Sequence, residues 1–164
     1  IKVFMGSSTG TLLVEDDPGV RAILAQVRRR AAFHSEDERM LRERAHLRVK
    51  GDPSSHPVWR SAEVAMRCTE RLVRIARETG ARIHVLHIST ADEMRFLAHH
   101  KDVASCEATP HHLTLVAPDC YERLGAYAQM NPPVRDETHR AGIWEGVRLG
   151  VADILGSDHA PHAR

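Results

Sequence analysis

Cysteine is scarce in this sequence, and what there is does not pair. Cys68, Cys106 and Cys120 are odd in number, widely spaced and never in a C-x-x-C arrangement, which excludes a disulfide framework and a thiolate zinc site. A reducing cytoplasm is the expected compartment. Long apolar runs are lacking too: no stretch approaches the roughly 20 residues of a membrane span, and no signal-peptide pattern opens the chain. Neither sign of charge dominates, since 23 Lys and Arg against 22 Asp and Glu leave a formal charge of +1. Neither nucleic acid nor an anionic membrane surface is therefore an expected partner. The sequence also lacks internal repeats, low-complexity segments and any interdomain linker. At 164 residues, 42% hydrophobic and 27% charged, it is long enough for one globular core. What it has in quantity is histidine, 12 in all.

Hydrophobic patterning alternates between two periods. Ile1 to Met5 reads as a strand leading into a Gly-Ser-Ser-Thr-Gly turn. A helix is predicted from Gly19 to Arg30, begun by Asp17-Pro18, and then a short strand Ala31-Ala32-Phe33 closed by His34. A polar helix over Glu36 to Leu47, a loop over Pro53 to Pro57 and a longer helix over Trp59 to Thr79 follow. In the last of these, Ala62, Ala65, Met66, Thr69, Leu72, Val73 and Ala76 recur at three- and four-residue steps, and Gly80 supplies the stop. Arg82 to His87 is the next strand, Ala91 to His99 the next helix and Val103 to Glu107 another strand. Tyr127 to Met130 reads as extended, Asp136 to Leu149 as a helix, and the final strand begins at Ala152. Strands alternating with helices predict parallel βα units, an α/β fold.

Four residues at or near strand ends bear groups suited to a metal: Lys2, His34, His87 and Asp158. One strand-end histidine is ordinarily a hydrogen-bonded structural residue. Four such positions point elsewhere, because a (β/α)₈ barrel gathers its site at the C-terminal ends of its strands from residues distant in sequence. Asp158, which follows a short apolar strand and precedes His159 and His162, offers an anionic ligand able to hold the proton of an attacking water. His84 is the weaker ligand of its strand, because alternation puts it on the face opposite His87.

These residues lie in blocks that resemble dihydroorotase of the amidohydrolase superfamily. The blocks are Ile1-Lys2-Val3-Phe4-Met5-Gly6, His34-Ser35-Glu36-Asp37, His84-Val85-Leu86-His87-Ile88-Ser89-Thr90, Glu107-Ala108-Thr109-Pro110-His111-His112-Leu113, Met130-Asn131-Pro132-Pro133-Val134-Arg135 and Ser157-Asp158-His159-Ala160-Pro161-His162. They occur in family order. Related hydantoinases and allantoinases share the Lys, His and Asp positions but differ at Thr-Pro-His-His-Leu, Asn-Pro-Pro and Asp-His-Ala-Pro-His. The resemblance implies reversible cyclisation of N-carbamoyl-L-aspartate to L-dihydroorotate in de novo pyrimidine synthesis, with two zinc ions bridged by a carboxylated Lys2. It assigns His34 and His87 to one zinc, Asp158 to the other and to general base catalysis, and Asn131 and His162 to substrate. Asn131 reads equally as a turn residue before two prolines.

The same resemblance implies a small-molecule substrate, and a homo-oligomer or a complex with aspartate transcarbamoylase; the alternatives are a hydantoinase- or allantoinase-like cyclic amidase, or a non-catalytic dihydroorotase-like subunit that scaffolds aspartate transcarbamoylase. His111 and His112 line the pocket or cap a helix, His159 is structural or supports a ligand without being one, Ser7, Ser8 and Thr9 form a turn or, as the alternative, cradle an anion, and Arg135 is a loop or salt-bridge residue. His46, His56, His99, His100 and His139 are expected on polar, solvated surfaces, as is the charge run from Glu36 to Arg44, with pairs such as Glu38 and Arg42. The pattern departs from the family in one respect: no His-x-His-x-Arg precedes Lys2. The expected architecture is therefore a partial barrel, strands 4 to 8 of eight, as a single incomplete domain over residues 1–164. Such an open barrel is expected to expose a parallel edge and apolar surface, and the missing segments to belong to a longer enzyme or to be supplied by another chain.

Overall fold

A computed structural model of the chain describes residues 1–7 and 12–160. Five strands, β1 (Lys2–Phe4), β2 (Ala31–His34), β3 (Ile83–Val85), β4 (Ala104–Ala108) and β5 (Ile154–Leu155), form one parallel sheet in the order β1-β2-β3-β4-β5. Each strand is added beside its predecessor on the same side. That is the winding of a barrel wall, whereas a doubly wound sheet reverses its order midway.

The connections are helical: α1 (Asp17–Leu24), α2 (Glu38–Arg44), α3 (His56–Trp59), α4 (Ala62–Thr79), α5 (Ala91–Ala98), α6 (Pro110–Thr114), α7 (Asp119–Leu124) and α8 (Glu137–Arg148). Their outer layer buries one face of the sheet. Val3, Ala31, Phe33, Ile83, Val85, Ala104, Cys106 and Ala108 alternate onto that face and pack with Leu72, Val73, Ile75, Met94, Leu97 and Ile143 from the helices. The opposite face carries Lys2, Ala32, His84 and Ser105 in one register row. The core is therefore apolar outside the sheet and polar inside it.

Local chemistry explains the helix starts. Asp16, Asp37, Thr90 and Asp136 each accept a backbone N–H of the following first turn. Gly80, with φ +66°, closes α4 in the left-handed conformation. Helices α5 and α8 approach so closely that a methyl group on Gly142 would lie 2.2 Å from Ala91 Cβ, and one on Gly146 would lie 2.7 Å from Met94 Sδ.

Several sequence expectations shift. The first helix ends at Leu24, not Arg30: Val27 packs against the core, and Arg30 turns to donate to the carbonyls of Ile83 and Val103. The Pro53 to Pro57 loop contains helical turns, Pro53–Ser55 and α3. Tyr127 is in a 3₁₀ turn over Gly125–Ala128, not in an extended segment. In α4, Val64, Cys68 and Ile75 join the buried stripe, while Ala62 and Met66 lie at its margin. Among the described residues no helix is long and apolar enough to cross a membrane.

Candidate metal centre

His34 is the last residue of β2 and is buried. His87 lies two residues beyond β3, also buried, with φ at +38°. This left-handed step, which costs a branched or bulky residue roughly 1–3 kcal/mol, turns the His87 ring back toward its neighbour. His34 Nδ1 and His87 Nε2 then stand 3.2 Å apart. Two imidazole nitrogens on one tetrahedral zinc, each at about 2.0–2.1 Å, are separated by about 3.3 Å. The spacing and the donor chemistry fit a divalent metal held between these rings. Burial, then the nearby His34 and His112, pushes the His87 imidazole well below the usual histidine range, so it is neutral and a competent ligand.

Lys2 and Asp158 form a second pair. Lys2 Nζ lies 4.9 Å from the Phe4 ring centroid, so its side chain runs along β1 toward the C-terminal end of the sheet. The Phe4 ring is in turn 5.8 Å from that of His34. Lys2 Nζ reaches to 3.9 Å from Asp158 Oδ1, both side chains being partly exposed. Asp158 has φ +44°, and among the described residues it and His87 are the non-glycine residues with positive φ. Strained backbone of this kind concentrates at functional sites. Among the described residues no three His, Cys, Asp or Glu side chains converge on one point; the arrangement is two pairs at one end of the sheet.

His84 occupies a different place, though not for the expected reason. Strand alternation stops at Val85, so it does not govern His87. His84 sits in the Lys2 row, with Nδ1 2.9 Å from Ser105 Oγ and Nε2 3.3 Å from Glu107 Oε2. Glu107 Oε1 accepts the His87 backbone N–H at 3.1 Å and so pins the left-handed turn. Burial pushes the Glu107 carboxyl up, but His84 and the His87 N–H outweigh it and hold it down.

Asn131 follows Met130, next to a polar cavity of about 370 Å³ lined also by Arg48, His56, Trp59 and Arg60. His56 Nε2 lies 3.0 Å from the Met130 carbonyl and 3.1 Å from Asn131 Oδ1. The His56 ring therefore donates here, and the Asn131 NH₂ is left to point elsewhere. His112 supports the same loop: its Nε2 donates to the Pro132 carbonyl at 3.0 Å, and its Nδ1 is 2.7 Å from Thr109 Oγ1. His162, with Ser8 and Thr9, lies outside the described residues.

Two surface assignments are overturned. His56 is buried, because α3 packs it over the Asn131 loop. Glu36, Asp37 and Glu38 are buried as well, because Arg60 pairs with Glu36, Arg71 with Asp37 and the Ser7 backbone N–H with Glu38, although Glu38 keeps its expected contact with Arg42 at 3.2 Å. Arg135 lies in a loop, one of its two expected roles, and makes no salt bridge among the described residues; it donates to Ser89 Oγ at 3.1 Å and to the Arg60 carbonyl at 2.9 Å. Glu36, Arg60, Glu107 and His56 are the residues that sequence reasoning missed. Glu36, two residues after His34, and Glu107, four before His111, stand inside the motif blocks, which is the signal available for them.

No protein-family model matches the sequence. The chain is 34% identical over 170 residues to the dihydroorotase of Halobacterium salinarum, covering 99% of this chain and 38% of that protein. It is likewise 34% identical over 175 residues to the dihydroorotase of Methanosarcina mazei, covering 98% and 38%. The chain belongs to the dihydroorotase family. Its fold is also that of the L-hydantoinase of Arthrobacter aurescens, at TM-score 0.89 and 24% identity over 96% of this chain and 37% of that one. The five-stranded wall is thus a partial TIM barrel of the amidohydrolase kind. This dihydroorotase-family chain spans a little over a third of the length of the curated relatives it matches.

Proposed function

We propose that this chain contributes metal-binding and catalytic residues to a zinc-dependent dihydroorotase, which interconverts N-carbamoyl-L-aspartate and L-dihydroorotate in pyrimidine synthesis. The observation that carries the reading is the 3.2 Å meeting of His34 Nδ1 and His87 Nε2 at the C-terminal end of a parallel barrel wall, in a chain whose relatives are dihydroorotases. Lys2, His34, His87 and Asp158 would hold the metal.

Zinc, when bound, lowers the pKa of water toward neutrality and polarises the scissile carbonyl. The chain's own groups do the rest. Lys2 as a cation repels a metal. As a neutral amine its Nζ attacks CO₂, an N–C bond forms and a proton leaves, and the resulting carbamate is an anion suited to bridging. Asp158 accepts the proton of the attacking water and passes it to the departing amide nitrogen, a role that needs a carboxylate within reach of both. Asn131, its oxygen occupied by His56, offers its NH₂ to an acceptor on the ring, and His162 donates to the substrate carboxylate.

The test is zinc content by elemental analysis of the full-length protein, with dihydroorotate hydrolysis followed by loss of ultraviolet absorbance. Two zinc ions per chain and turnover of dihydroorotate over hydantoin are expected. Metal-bound protein that prefers hydantoin reassigns the substrate; metal-free, inactive protein leaves a scaffolding subunit as the reading.

A further inference from the structure

Two residues past His34 the chain places Glu36, a carboxylate with no solvent exposure. A lone buried carboxylate costs several kcal/mol, so it must be answered by charge and by hydrogen bonds. Arg60 answers it: Nε lies 3.1 and 3.2 Å from the two carboxylate oxygens, and a terminal nitrogen touches Oε2. Arg60 is itself tied down, donating to the Ser7 carbonyl at 2.8 Å while its own carbonyl accepts from Arg135 at 2.9 Å.

Neutrality is complete with that pair, yet Glu36 makes a third contact. Its Oε2 lies 2.9 Å from His34 Nε2. The oxygen sits off the ring N–H axis, so the contact is electrostatic and Nε2 has no aligned hydrogen bond. A lone pair on Nε2 would face a carboxylate oxygen at that distance, which is repulsive; a proton there is attractive. Neutral imidazole carries one ring proton. Putting it on Nε2 leaves a lone pair on Nδ1, the atom that faces His87.

We propose that Glu36, clamped by Arg60, is a positioning residue that holds His34 as the Nε2–H tautomer and so presents Nδ1 to a divalent metal. The inference rests on the metal-centre reading above. A merely structural Glu36 would neutralise Arg60 and leave the tautomer of His34 indifferent to it. In Glu36→Gln the amide oxygen is claimed by Arg60, which only donates. The amide NH₂ then falls to His34 Nε2 and drives the ring proton to the metal-facing nitrogen.

The experiment uses the full-length, metal-free protein with ¹⁵N-labelled histidine. Long-range ¹H–¹⁵N spectra, assigned with His34→Ala, report the tautomer, and zinc alone is titrated against a competing chelator. The expected result is Nε2–H in the native protein, Nδ1–H in E36Q, and zinc affinity about 10- to 100-fold weaker in E36Q. Nδ1–H in the native protein overturns the proposal even if E36Q does not fold. Native tautomer and native affinity in a folded E36Q overturn it as well. If His34→Ala binds zinc as tightly as the native protein, the metal-centre reading fails instead, a result independent of the tautomer.

Discussion

His34 Nδ1 and His87 Nε2 stand 3.2 Å apart across 53 residues of sequence. One ring comes from a strand end and the other from a left-handed step two residues beyond the neighbouring strand, pinned by Glu107. Replacing either with Ala in the full-length protein is expected to abolish binding of at least one zinc, whereas His84→Asn keeps the native stoichiometry. Elemental analysis of the three variants checks this.

Asp158 is expected to serve both metal and proton transfer. Asp158→Asn keeps its size but loses its basicity, and kcat falls by about 10²- to 10⁴-fold. Steady-state kinetics with dihydroorotate decides, and a kcat within a few-fold of native would remove the general base from this residue.

His56 donates to Asn131 Oδ1 and the Met130 carbonyl. His56→Ala frees the amide to rotate and leaves two acceptors unpaired, a loss of about 1–1.5 kcal/mol. KM is expected to rise about tenfold with zinc content unchanged; the pairing of the two measurements separates loop positioning from damage to the metal centre.

His112 is buried, and burial, then the charges of His111 and Arg135, lowers its pKa to about 3 from an ordinary 6.5. The folded state binds the proton less readily than the unfolded chain, so stability is complete above about pH 6.5 and is lost as pH falls toward 3. The slope from this one group is up to about 1.4 kcal/mol per pH unit. Chemical denaturation across that window is expected to show a flatter profile for His112→Asn, at the cost of lower stability at neutral pH.

Gly142 meets Ala91 where α8 crosses α5, and an added Cβ would lie 2.2 Å from the Ala91 Cβ. Neither atom is the end of a flexible side chain, so the helices must separate. Gly142→Ala is expected to lower stability by about 1–3 kcal/mol despite its better helix propensity. A thermal melt at the same or higher temperature than native would contradict this.

Much of the architecture was legible in the chain because it rests on local rules. Period-two runs at Ala31, Ile83 and Ala104 became strands, and Asp136 and Gly80 bounded helices as caps do. Errors fell where a local preference met a distant partner. Arg30 left its helical pattern to reach the carbonyls of Ile83 and Val103. His56, in a segment rich in Pro and Ser, was buried by a loop 75 residues away.

By itself the sequence determined the parallel βα order, the family, and the residue types brought to the strand ends, because periodicity, caps and motif blocks are written in adjacent residues. Only the tertiary structure decided that His87 turns left-handed to meet His34, that Glu36 is buried between Arg60 and His34, and that Glu107 braces both His84 and His87. A charged residue in a polar run reads as solvated until the fold supplies a partner from another segment, as Arg60 does for Glu36. Its burial is a property of that partner's position, which no local pattern contains.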